Sequence, residues 1–148
     1  MEWLDALWGE MAGLDGAPLI YFIERHPVYA AKLRPFFAAA ERREFQLVTS
    51  LVTLLEVLVH PLRTGREDLA REYRDILLRS ASLRTIPVSE IIAEEAAWLR
   101  ATHNLRTPDA IQLATANTAG ASWFITNDAA LPSPPGISVL VVDRLPDP

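Results

Sequence analysis

The chain has 148 residues, half of them apolar, no cysteine and a formal charge of −5. That length and composition fit a single core, and the acidic balance argues against broad adhesion to nucleic acid through net charge while leaving room for a local basic surface. The lack of cysteine removes disulfides and thiolate metal sites, and no apolar stretch approaches the roughly 18 to 20 residues that span a bilayer, so the chain reads as soluble and cytoplasmic.

Residues 1–10, with Trp3 and Trp8 but no basic start of the signal-peptide kind, read as an N-terminal extension, a helix packing on the domain or on a partner. Residues 11–148 read as one domain. Residues 11–14 form a weak strand leading into Asp15, weak because Gly9, Ala12 and Gly13 stand where β-branched residues are expected. Pro18 suits the first turn of a helix reaching about residue 25, and a second helix covers residues 28–43. A strand at 45–49 is followed by Ser50 as N-cap and a helix over 51–60 that stops before Pro61.

Residues 67–79 are amphipathic, with Leu69, Tyr73, Ile76 and Leu77 on one face. Six arginines fall between residues 63 and 84, which reads as a solvated helix carrying pairs such as Glu67 with Arg71. A strand at 83–87 and a helix at 89–103 follow, and Thr107-Pro108 opens another helix to about residue 119. The last strands, 122–126 and 137–142, are separated by a proline-rich turn at 132–136. Strands alternating with helices predict an α/β protein: a three-layer α/β/α sandwich around a mainly parallel sheet of four to five strands.

Four acids stand out because they lie in apolar runs: Asp15, Glu56, Asp109 and Asp128. Burying an unpaired carboxylate costs several kcal/mol, and the chain has one lysine, Lys32, and no arginine within two positions of Asp15, Glu56 or Asp128. Asp15 closes the first strand and Asp128 follows the fourth, so both should open onto the carboxyl edge of the sheet, where ligands gather in open α/β folds. Asp109 lies in the first turn of its helix, and Glu56 is expected to turn inward among Val52, Leu55 and Val59.

Taken singly, Asp109 suits a helix dipole and Asp15 or Asp128 a turn; Glu56 fits such readings least. Together they point to a shared hard cation, Mg²⁺ or Mn²⁺, since two carboxylates about 5 Å apart repel by roughly 3 kcal/mol at an effective dielectric near 20. Such an ion favours phosphodiester hydrolysis. The three histidines, His26, His60 and His103, sit at predicted helix ends and read as capping residues.

At these residues the chain resembles the PIN-domain family, specifically the VapC-like toxins of toxin–antitoxin pairs. The matching segments are LD at 14–15 with LIYFIE at 19–24, SLVTLLEVL at 50–58, LRTPDAIQLATA at 105–116 and FITND at 124–128, in the family's order. The resemblance implies a Mg²⁺- or Mn²⁺-dependent endoribonuclease with Asp15, Glu56 and Asp109 as the main catalytic and metal-site acids and Asp128 as a fourth. Thr126 or Asn127 would support them. It further implies an RNA substrate, a homodimer, and silencing by a small VapB-like antitoxin. One departure is Gly16, where the family usually has Thr or Ser directly after the first acid.

Gly16 motivates an alternative, a catalytically weakened PIN-like module that binds RNA or a protein partner without cleaving. A receiver-like phosphoacceptor would also gather acids at strand ends, but it would need a lysine after a late strand, and Lys32 lies on an early helix.

Overall fold

The computed structural model describes residues 1–148. Five strands alternate with helices as the hydrophobic periodicity requires: β1 (Met11–Leu14), β2 (Gln46–Ser50), β3 (Arg84–Ile86), β4 (Trp123–Thr126) and β5 (Ser138–Val141). They form one sheet in the order β3-β2-β1-β4-β5, and every pairing is parallel. The helices are α1 (Glu2–Asp5), α2 (Gly16–Ile23), α3 (Tyr29–Glu41), α4 (Leu51–Arg63), α5 (Glu67–Arg79), α6 (Glu90–His103) and α7 (Thr107–Ala119). A parallel pair cannot be closed by a tight hairpin. The β4-to-β5 crossover, residues 127–137, makes its connection through a proline-rich loop without a helix.

Side chains alternate across the strands, so each face of the sheet builds its own core. Ala12, Leu14, Leu47 and Ile125 point to one side and join Leu19, Leu33, Phe36, Val57 and Tyr73 from α2 to α5. Val48 and Phe124 point to the other and join Ile92, Leu99, Leu113 and Ala114 from α6 and α7. This is the expected three-layer α/β/α sandwich, with five strands.

Gly13 makes sense of a strand that looks poor in sequence. A Cβ there would come within 2.7 Å of both Ala116 Cβ and Phe124 Cδ1, so α7 lies on β1 only because the strand has no side chain at that point. The N-terminal residues are packed as well. Leu7 is fully buried, Trp3 stacks on Phe36 with ring centroids 6.3 Å apart, and Trp8 is exposed.

Several local expectations are corrected. Helix α4 does not stop before Pro61 but runs through it to Arg63. The proline lies in the last turn and is buried, and the N–H and hydroxyl of Thr64 both donate to the His60 carbonyl, at 3.0 and 2.9 Å, closing the helix one turn later. His26 does not complement the end of α2. Its Nδ1 accepts from the N–H groups of Val28 and Tyr29, both at 3.1 Å, and so caps the start of α3. The ion pairs around α5 are Arg66 with Asp68 and Arg79 with Asp75, in place of the expected Glu67 with Arg71. Leu55 and Val59 do not surround Glu56: they are exposed, because Glu56 and Val57 take the inward side of α4.

Candidate active site

The strand order reverses at β1, whose neighbours β2 and β4 lead the chain away in opposite directions. At such a switch point the loops leave the carboxyl edge on opposite sides and open a crevice. Asp15, Glu56, Asp109 and Asp128 all line one cleft there, together with Gly16, Ile20, Tyr21, Arg106, Thr126 and Asn127. A volume of about 400 Å³ separates these walls.

Asp15 is held from two sides. It is the N-cap of α2, its Oδ1 accepts from the Gly16 N–H at 2.7 Å, and its Oδ2 accepts from the buried Thr126 hydroxyl at 2.8 Å. Burial pushes the Asp15 carboxyl above the usual carboxylate range; the Thr126 and Gly16 hydrogen bonds oppose that, and the charges of Asp109 and Asp128 add to it.

Glu56 reaches the cleft from mid-helix and is half-buried. Burial, and next the charge of Asp15, raise its pKa, while Gln112 and Arg106 act in the other direction. Gln112 is 2% exposed and ties three elements together. Its amide donates to Thr53 and, at 3.5 Å, to Glu56 Oε1, and its carbonyl oxygen accepts from the Ser50 N–H at 3.4 Å. The Thr49 hydroxyl extends this network by donating to the Leu14 carbonyl at 2.7 Å, next to Asp15. A half-buried acid is thereby anchored to the sheet edge through fully buried hydroxyls and an amide.

Asp109 lies in the first turn of α7, its side chain 17% exposed, and accepts from Arg106 Nε at 3.1 Å. Asp128 is exposed at the rim: its N–H donates to Thr126 Oγ1 at 3.1 Å and its Oδ1 accepts from the Ala130 N–H at 2.9 Å. Asn127 faces the other way along the wall. Its amide donates to the Tyr21 hydroxyl at 3.2 Å, and its Oδ1 accepts from the Asp143 N–H at 2.9 Å.

The donor set is one of carboxylate oxygens with a single guanidinium among them, which is the chemistry that hard divalent ions prefer. Asp15 and Glu56 are pushed toward their neutral forms first by burial and then by the charges of neighbouring acids, and a bound cation would reverse that push. As the side chains lie, no three acids are disposed to surround one ion, and Asp109 is engaged by Arg106.

Gln112 and Arg106 were not singled out from the sequence. Gln112 carries the signal that drew notice to Glu56, a polar residue among apolar neighbours, here Ile111 and Leu113. Arg106 precedes Asp109 by three positions, the spacing at which helical side chains meet.

The PIN domain family model matches residues 14–136, and the chain belongs to that family. No curated protein matches it significantly. Among solved structures it is similar to a toxin–antitoxin complex from Klebsiella pneumoniae, at 27% identity and TM-score 0.63, covering 88% of this chain and 96% of that one. VapBC2 from Rickettsia felis, bound to a DNA fragment from its promoter, aligns at 17% identity and TM-score 0.69 over 88% and 98% of the two chains. The Mycobacterium tuberculosis toxin VapC20, described as Sarcin-Ricin loop cleaving, aligns at 16% identity and TM-score 0.65 over 77% and 86%. The last two likenesses are of fold.

Proposed function

We propose that this chain is a Mg²⁺- or Mn²⁺-dependent endoribonuclease, the toxin of a VapBC-type pair. On this reading it acts in the cytoplasm as a homodimer and is silenced by a small VapB-like antitoxin. The observation that carries the reading is one cleft at the switch point of the sheet lined by four acids drawn from separate segments of the chain. Membership of the PIN domain family and likeness to VapBC toxins support it.

Asp15, Glu56 and Asp109, with Asp128 as the fourth, are the residues that would hold the cation. When bound, such an ion lowers the pKa of a water and neutralises charge on a phosphoryl oxygen. The protein's part is to hold the acids still. Thr126 and the Gly16 N–H fix the Asp15 carboxylate, Gln112 sets Glu56, and the start of α7 presents Asp109. The cleft opens at the carboxyl edge of the sheet, where a single strand can lie across it. An exposed apolar stripe on α4, Leu51, Leu55, Val59 and Leu62, supports association with a protein partner.

Purified protein is expected to cleave RNA in Mn²⁺ or Mg²⁺. Glu56→Gln and Asp109→Asn should each lose more than the roughly 10 to 100-fold typical of removing a supporting group. Equal cleavage by the variants would remove the nuclease reading.

One observation favours the second reading, a module that binds without cleaving. Gly16 lacks the hydroxyl that usually follows the first acid, although a Cβ there would meet only Glu56 Oε1, at 3.7 Å, an ordinary contact. A serine fits. If Gly16→Ser gains cleavage where the parent has none, the parent is the weakened module.

A further inference from the structure

Arg106 is the only basic side chain lining the cleft. Its Nε donates to Asp109 Oδ2 at 3.1 Å and its terminal nitrogen to Oδ1 at 3.5 Å, while the charges of Glu56 and Asp128 also reach it. The arginine side chain is 78% exposed and that of Asp109 17%, so the guanidinium lies over the mouth of the cleft rather than inside it.

A purely structural role accounts poorly for this placement. Arg106 is the N-cap residue of α7 but makes no side-chain cap bond, and Pro108 already favours the first turn. An exposed pair of this kind adds little to stability. A guanidinium does, however, match a phosphate through parallel N–H donors, and it keeps its charge at any working pH.

We propose that Arg106 is the phosphate-binding residue of this site, paired with Asp109 while the cleft lacks a cation and released to the RNA backbone when a divalent ion claims that carboxylate. This rests on the nuclease reading above. Arginine and metal compete for the same oxygens, so occupation of Asp109 by the ion weakens the hold on the guanidinium. A phosphate lying across the rim then supplies the replacement partner. The pairing makes substrate grip conditional on metal, although the whole chain is acidic.

Two binding measurements test this without reading turnover. In calorimetric titration with Mn²⁺, Arg106→Ala is expected to bind about two- to fivefold more tightly than the parent, the range that corresponds to losing one exposed competing pair. RNA binding is then followed against salt in saturating Mn²⁺, with Glu56→Gln in both proteins to suppress cleavage. Adding Arg106→Ala should reduce the slope of log affinity against log salt by about 0.7, one single-strand phosphate contact. Arg106→Lys, which keeps the charge, should retain the slope and shows that folding is not at issue. An unchanged slope, or an unchanged Mn²⁺ affinity, would overturn the assignment. A parent that binds no Mn²⁺ at all would instead defeat the nuclease reading itself, and this inference with it.

Discussion

Asp15 and Glu56 are the two acids whose proton affinity folding raises most clearly, and in both the first cause is burial. A carboxyl with a raised folded pKa favours the native state fully at pH values below its unfolded pKa, and that contribution is lost as pH rises through the folded one. The unfolded values are near 3.8 for Asp15 and 4.5 for Glu56, so the loss begins in that region and extends above it. In metal-free buffer at neutral pH, Asp15→Asn and Glu56→Gln are therefore expected to melt at higher temperature than the parent. The gain should shrink toward pH 4 and below. Asn remains a good N-cap, so the Asp15 variant isolates charge from capping. Thermal melts across pH check this; variants that melt lower than the parent at neutral pH would mean the carboxylates are already well compensated. Around these acids, neutral polar residues carry the positioning, Thr126 for Asp15 and Gln112 for Glu56. Both are buried, and both orient a carboxylate without neutralising it.

At the scale of elements, β1 and α7 show how close packing overrides propensity. Glycine is a poor strand former, yet Gly13 allows α7 to rest directly on the strand that carries Asp15. Gly13→Ala would improve strand propensity but brings a methyl to 2.7 Å from Ala116 and Phe124. It is expected to destabilise the protein by about 1–3 kcal/mol, the usual range for overpacking, measurable as a lower urea midpoint. It should also cut metal affinity, because β1 and α7 present Asp15 and Asp109. A variant as stable as the parent would show that α7 shifts freely. Helix α4 illustrates the converse. Pro61 is a strong local stop signal, but a proline in the last turn forfeits little, and the Thr64 cap lets the helix run on to Arg63.

For the whole molecule, the sheet order matters most, because β3-β2-β1-β4-β5 sets the reversal beside Asp15 and brings the ends of β1 and β4 together. The register pairs Leu14 with Ile125, which places Asp15 and Thr126 side by side. On the outside, Leu55 is 65% exposed and Leu62 53% on the same face of α4. If that face carries the proposed self-association, the parent should sediment as a dimer and Leu55→Glu as a monomer with the parent's circular dichroism, its melting temperature lowered only by the lost association. A parent that is already monomeric would assign the stripe to another partner. No helix of the chain is long and apolar enough to cross a membrane.

Most of this architecture was legible in the residue pattern: all five strands, six of the seven helices to within a few positions, the Ser50 cap and the parallel layering follow from hydrophobic period and turn chemistry, which act locally. The candidate acids, too, were visible as charges in apolar runs. What the sequence could not decide was contact between distant segments. The Asp109 carboxylate pairs with Arg106, Gln112 reaches Glu56 across 56 positions, and Gly13 is demanded by α7, and each of these depends on how elements stack rather than on neighbours along the chain. Local forces thus determined which elements form and which residues are candidates, while the strand order and the close approach of helix to sheet, which are long-range packing outcomes, decided that those candidates face one cleft and which cation of the chain shares it.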